Sequence, residues 1–391
     1  MLLSLSLLLI VGFILSSLFV RLHLPGLLGL ILTGIILGPY VLDLLDPKLL
    51  SISAEVRQIA LIVILFRAGL TMNIRDLKKN GRPAILMTFL PATFEIVTVI
   101  LLAPLLFDIT TLEAAILGTV LGAVSPAVVV PRMIGLIENG YGKAKGIPQM
   151  ILAGASVDDV FVIVLFTSFL SMFQGSGFNL LSLLSVPLSI VFGLLLGAIL
   201  GYVLVKLFKY LHIRDTMKVL LILSVCFLMV ALEDGLKDSF PLSGLLGVMA
   251  LGGVILKLYP LLAKRMNSKF SKVWLGSEIF LFVLVGAATD ITALNEAGFA
   301  VVLLIIVSLF FRMIAVFLSV SGTDLTVKEK IFTAGAYTPK ATVQAAIGSI
   351  PLAMGVPAGS LILTVAVLSI IITAPIGATF IDLSHKKLLQ K

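Results

Sequence analysis

Long apolar stretches follow one another along almost the whole chain, separated by short polar joints. A helix needs about 20 largely apolar residues to cross the hydrocarbon core of a bilayer. Thirteen segments approach or reach that length, at 2–20, 27–45, 55–74, 83–107, 112–137, 147–173, 185–208, 216–233, 241–259, 272–290, 297–321, 328–353 and 358–382. The pattern predicts an all-α integral membrane protein with thirteen transmembrane helices. The first run lacks the basic leader and small-residue cleavage pattern of a signal peptide, and a second apolar segment follows at once. It is therefore read as a retained helix. The joints are too short for a soluble domain, so residues 1–391 are read as one transmembrane domain.

Two predicted spans carry a polar residue followed by proline near their middle, Ser125-Pro126 in the fifth and Thr338-Pro339 in the twelfth. Proline removes a backbone donor and clashes with the preceding turn, so each helix is expected to break there. Unwound backbone at membrane depth is tolerated only where it is buried or lines a cavity. The breaks lie seven spans apart, which fits two inverted six-helix repeats, 1–184 and 209–391, joined by a linker helix at 185–208. Interrupted helices at matching places in inverted halves are the sequence mark of a transporter site. Gly193, Gly197 and Gly201 give the linker a small-residue face for close packing.

Composition agrees with the pattern: 60% of residues are hydrophobic and only 12% charged, with mean hydropathy +1.21. A soluble domain carries roughly 25% charged residues. The net charge of +8 would suit a nucleic-acid partner only if the basic residues shared one polar face. They sit instead in short clusters between apolar segments. Counted by parity over thirteen crossings, 22 of the 28 basic residues fall on one side and three, Lys48, Arg57 and Lys237, on the other. That bias predicts an external N-terminus and a cytoplasmic C-terminus. With one cysteine, Cys226, no internal disulfide can form, and His23, His212 and His385 lie at or beyond span ends. No phosphate-cradling glycine motif is present, and no cofactor is expected.

Against this background a few ionisable residues stand out. Each charge near the bilayer centre costs about 2.5–3.5 kcal/mol on insertion scales, yet Glu95, Asp158, Asp159, Arg312 and Lys340 all fall within predicted spans. Asp158 and Asp159 are adjacent on one helix and point roughly 100° apart, so one can meet a basic partner while the other faces a cavity. Two close carboxylates also resist simultaneous ionisation and titrate as a unit. A site that holds a dehydrated monovalent cation or a proton, but not both, couples the two fluxes by competition. Glu95 and Arg312 occupy the fourth helix of their respective halves, and pseudo-symmetry would join them in a salt bridge. Lys340 is placed to face Asp158, either competing with the cation or neutralising the site. Ser125 and Thr338 offer hydroxyl ligands. Glu278 is an interfacial charge or a candidate pH gate, and Arg67 is close enough to a span end to snorkel.

The segments Gly-Ala-Val-Ser-Pro-Ala-Val-Val-Val-Pro (122–131), Gly-Ala-Ser-Val-Asp-Asp-Val (154–160) and Thr-Pro-Lys-Ala-Thr-Val-Gln-Ala-Ala-Ile-Gly (338–348) together resemble the monovalent cation:proton antiporters. Within them, the chain is similar to the bacterial relatives of animal sodium/proton antiporters of the NHA type. The resemblance implies the sodium/proton antiporter fold with crossed discontinuous helices, in a homodimer of the bacterial inner membrane surrounded by lipid. It implies elevator-type exchange of Na⁺ or Li⁺ for H⁺. It makes Asp159 the main cation- and proton-binding carboxylate, Asp158 its salt-bridging neighbour and Ser125 the hydroxyl at the first crossover. Electrogenic members carry a lysine near the position of Arg312, so the stoichiometry is open. A K⁺/H⁺ antiporter and a sodium-coupled organic anion symporter, whose anion would need an exposed cation such as Lys340, are the alternatives. Two consecutive aspartates on one helix do not suit an aspartyl protease, so no enzyme activity is expected.

Overall fold

A computed structural model of the chain describes residues 1–22, 24–71, 81–174, 180–211, 213–236, 242–289 and 293–391. The expectations that rest on His23, Arg75, Lys78, Lys79, His212 and Lys237 fall outside these residues. Every regular element among the described residues is helical. In order they are α1 (Leu2–Arg21), α2 (Gly26–Leu37), α3 (Pro47–Ser51), α4 (Ser53–Thr71), α5 (Gly81–Met87), α6 (Leu90–Leu106), α7 (Thr111–Leu121), α8 (Pro126–Asn139) and α9 (Ile147–Gln174). They continue with α10 (Leu180–Tyr210), α11 (Asp215–Leu236), α12 (Gly244–Leu258), α13 (Pro260–Ala288), α14 (Ala293–Ser319), α15 (Val327–Ala336), α16 (Thr342–Ile347), α17 (Ile350–Ala353) and α18 (Gly359–Leu388). Nine helical segments among the described residues are long and apolar enough to cross a bilayer. The protein is an integral membrane protein. Its surface is correspondingly oily, with Leu105 and Phe299 more than 80% exposed, while Glu95, Asp158, Arg312 and Lys340 are fully buried. That reversal of the soluble pattern is what a lipid solvent favours.

The helices divide into two compact units. One comprises 1–54, 73–166 and 281–391, the other 55–72 and 167–280. In the second, α10 packs closely on α12. A Cβ at Gly193 would come within 2.2 Å of the Ser243 carbonyl oxygen, and one at Gly197 within 2.1 Å of that of Gly247. Backbones this close leave no room for a side chain, as the four-residue glycine spacing anticipates.

The first unit contains both broken helices. α7 starts from a capping box in which the Thr110 hydroxyl accepts the Glu113 N–H while the Glu113 carboxylate accepts the Thr110 N–H. α15 starts from the same device at Thr326 and Glu329. Such boxes satisfy two of the orphan donors of a first turn. α7 stops at Leu121 and α8 resumes at Pro126, where a first-turn proline needs no donor. α15 stops at Ala336 and α16 resumes at Thr342. The two gaps meet, for the Ser125 N–H donates to the Pro339 carbonyl at 2.7 Å. Proline alone does not make a break: Pro104, Pro131 and Pro375 lie inside continuous helices. A further interruption, at Thr88 and Phe89 between α5 and α6, is absent from the sequence expectation.

Candidate ion-binding site

Three elements deliver the buried charges to the crossing. α6 carries Glu95, α9 carries Asp158 and Asp159, and α14, packed along α6, carries Arg312. Arg312 is the hub. Its Nη1 donates to Glu95 Oε2 at 3.0 Å and its Nη2 to Asp158 Oδ2 at 3.0 Å. Its Nε donates to the Tyr337 carbonyl at 2.9 Å, and Nη1 also reaches the Gly122 carbonyl. The guanidinium lies 5.2 Å from the centre of the Tyr337 ring. The planar, five-donor fork of arginine suits such a junction better than lysine would. The expected Glu95–Arg312 salt bridge is therefore present.

The structure differs from expectation over Lys340. Its Nζ lies 2.7 Å from Glu95 Oε1 and donates to the Leu121 carbonyl, rather than pairing with Asp158. The reason is geometric: Arg312 already occupies Asp158, and Lys340 Nζ reaches both oxygens of Glu95, donating to Oε2 at 2.8 Å. Glu95 thus serves both cations, with the Ser308 hydroxyl 3.4 Å from Oε1.

The unwound segment 122–125, with Leu121 just before it, finds side-chain partners for most of its freed backbone groups. Leu121 accepts from Lys340 and, at 3.4 Å, from Gln344 Nε2; Gly122 accepts from Arg312; Ala123 accepts from Gln344 Nε2 at 2.9 Å. The Val124 N–H donates to Asp158 Oδ2 at 2.8 Å. Buried backbone groups need such partners, and here side chains replace the lost helical bonds. Ser125 is buried, its Oγ a long 3.5 Å from Thr342 Oγ1. The Thr338 hydroxyl donates to the Gly335 carbonyl at 2.8 Å, just beyond the end of α15, leaving its oxygen lone pairs.

The two aspartates are treated differently. Asp158 is fully buried and held by Arg312 and Val124. Asp159 keeps some accessible surface, its Oδ1 has no partner, and among the described residues no ion pair reaches it. Asp158 Oδ1 is likewise without a hydrogen-bond partner, so the two residues differ in that Arg312 and the Val124 N–H hold the other oxygen of Asp158. Glu278 lies in the other unit, where the Trp274 indole donates to it and Arg67 sits 5.9 Å over the Trp274 ring. The carboxylates Glu95, Asp158 and Asp159 outnumber the cations Arg312 and Lys340 by one.

Sequence reasoning passed over Tyr337, Gln344 and the Val124 N–H. Gln344 was detectable as an uncharged polar residue in the apolar run 342–347. Tyr337, whose hydroxyl donates to the Met87 carbonyl at 3.0 Å, gave no such signal because its role depends on the interruption after α5.

Crossed, interrupted helices around buried charges define an ion-coupled membrane transporter. The sequence profile described as "Sodium/hydrogen exchanger, transmembrane" matches residues 5–383. Human sodium/hydrogen exchanger 9B2 is 35% identical over 384 residues, covering 94% of this chain and 70% of that protein. Human sodium/hydrogen exchanger 9B1 is 32% identical over 387 residues, covering 94% and 73%. The fold is similar to that of the sodium proton antiporter MjNhaP1 from Methanocaldococcus jannaschii, with TM-score 0.84 and 20% identity over 99% of this chain and 98% of that one. The chain belongs to the sodium/hydrogen exchanger family.

Proposed function

We propose that this protein exchanges Na⁺, or Li⁺, for H⁺ by alternating access, with the cation and the proton competing for the Asp158–Asp159 pair. The observation that carries the reading is Asp159, which has no ion pair among the described residues and whose Oδ1 has no hydrogen-bond partner, beside an otherwise neutral cluster. Glu95, Asp158, Arg312 and Lys340 balance one another, two charges of each sign, so ionised Asp159 is the excess. A buried net charge is strongly disfavoured, and a single Na⁺ or a single proton cancels it. Asp159 supplies the principal oxygen ligand, with Ser125 and Thr338 as candidate further ligands and Arg312, Lys340 and Glu95 as the neutralising frame. In this reading Lys340 balances Glu95 and carries no proton, which makes exchange one for one and electroneutral. The names of the exchanger relatives support the substrates.

The proposed architecture is thirteen crossings in two inverted repeats. Glu95 and Arg312 are 217 residues apart, as are the touching pair Ser125 and Thr342 at the breaks, and both broken helices open on a threonine–glutamate capping box. All residues of the proposed site except Glu278 fall in one compact unit, which suits elevator-type movement of that unit within a homodimer in the lipid of a bacterial inner membrane. Glu278 is proposed as a pH gate separate from the site. An anion symporter would require an available cation, and Lys340 is committed to Glu95. In proteoliposomes reporting internal pH, Na⁺- or Li⁺-driven proton movement is expected for the wild type and none for Asp159→Asn. Undiminished movement in the variant would remove the assignment.

A further inference from the structure

The side chain of Gln344 takes no part in the charge cluster, yet it is fully buried at the crossing of the two breaks. Its Nε2 donates to the Ala123 carbonyl at 2.9 Å and stands 3.4 Å from the Leu121 carbonyl. With only acceptors on that side, the amide must face them with its nitrogen, and Oε1 is left without a partner. A buried amide oxygen without a donor is unfavourable, so the orientation is held by what the nitrogen does.

The consequence lies across one peptide plane. In a trans peptide the C=O and the following N–H point in opposite directions. The peptide whose carbonyl Gln344 holds is Ala123–Val124, and its N–H is the one that donates to Asp158 Oδ2 at 2.8 Å. Residues 122–125 belong to no helix, so no helical hydrogen-bond ladder fixes that plane. Gln344 fixes it from one side and Asp158 reads it from the other. We infer that Gln344 is a positioning residue for cation exchange, clamping the Ala123–Val124 peptide so that its N–H holds the Asp158 carboxylate in place beside Asp159.

This inference rests on the exchange reading of the aspartate pair. The charged groups around Asp158 are Arg312 in contact, Asp159 beside it and Lys340 and Glu95 beyond, with the Tyr337 phenol buried nearby; none of them holds the 123–124 plane. Without Gln344 the plane is free to turn and Asp158 loses one of its two donors. The Asp158 carboxylate is then free to shift beside Asp159, the cation site is less well formed, and more Na⁺ is needed to fill it.

The test measures half-saturating Na⁺ and maximal rate across pH in proteoliposomes for Gln344→Leu, Gln344→Met and Gln344→His. Loss of one buried hydrogen bond predicts roughly a five- to tenfold rise in half-saturating Na⁺ at neutral pH for the apolar variants. The maximal rate should stay within about twofold of wild type. Histidine, which keeps an N–H at similar reach, should restore near wild-type behaviour. If Gln344→Leu does not fold, Gln344→Met against Gln344→His decides, with Na⁺-dependent thermal stabilisation as the second readout. Unchanged Na⁺ dependence in the apolar variants, or equal impairment by histidine and methionine, would overturn the inference. Asp159→Asn run in parallel separates the two ideas. If it still exchanges, the exchange reading fails; if it is inactive while the Gln344 variants match wild type, only the positioning role fails.

Discussion

Glu95 holds two cations at once, Arg312 through Oε2 and Lys340 across both oxygens, with every charge fully buried. Removing one member of such a pair leaves an uncompensated charge in a medium that cannot solvate it, at a cost of roughly 3–5 kcal/mol. Glu95→Gln is therefore expected to lower the melting temperature of the purified protein markedly, and an unchanged melt would show that the cluster is not a neutralising frame. Asp158→Asn should behave similarly, because Arg312 loses a carboxylate. Asp159→Asn should not. Its carboxylate has no ion pair among the described residues, so the variant is expected to melt within about 0.5 kcal/mol of wild type while losing its response to Na⁺. At this scale the sequence revealed which residues were anomalous, since a charge in a lipid span is visible by composition alone. It revealed the Glu95–Arg312 partnership through pseudo-symmetry. It did not reveal that Lys340 turns to Glu95, because the choice between two carboxylates depends on where Arg312 has already settled. Nor could it reveal Gln344 or Tyr337, whose partners are carbonyls exposed only when a helix is interrupted.

Helices in this protein are read most reliably from their apolar length and least reliably from their prolines. Pro126 and Pro339 sit in the gaps or at their edges, whereas Pro104, Pro131 and Pro375 are carried inside helices. Ser125-Pro126 and Thr338-Pro339 differ in being surrounded by donors, among them Arg312, Lys340 and Gln344, that take over the freed carbonyls. Local sequence supplies the proline, but tertiary partners decide whether the helix opens. The helix starts rest on local sequence, since Thr-x-x-Glu at 110–113 and 326–329 forms a capping box in both cases. Replacing Thr326 by Val should cost about 0.5–2 kcal/mol of stability, measured by thermal denaturation in detergent. An unaffected melt would mean that the cap is redundant with the 2.8 Å Lys145–Glu329 ion pair. Between α10 and α12 the glycine spacing was fully legible. Gly197→Leu would drive a side chain into the Gly247 backbone, and either loss of folded protein or an overpacking penalty of about 1–3 kcal/mol or more is expected.

On the scale of the whole molecule, the buried cluster sets a charge balance. Three carboxylates face two cations, so one positive charge is missing, and the proposed transported ions are what can supply it. Binding then contributes to stability: at Na⁺ a hundredfold above its dissociation constant the folded state gains about 2.7 kcal/mol. Because a proton occupies the same place, that gain should shrink as pH falls. The most direct test is the half-saturating Na⁺ concentration for exchange measured across pH in proteoliposomes, with the membrane voltage clamped at zero. Competition for one locus predicts that half-saturating Na⁺ rises by about tenfold for each pH unit on the acid side while the maximal rate holds. A half-saturating concentration that ignores pH, or a maximal rate that falls with acid while it stays constant, would contradict a site that holds Na⁺ or H⁺ but never both.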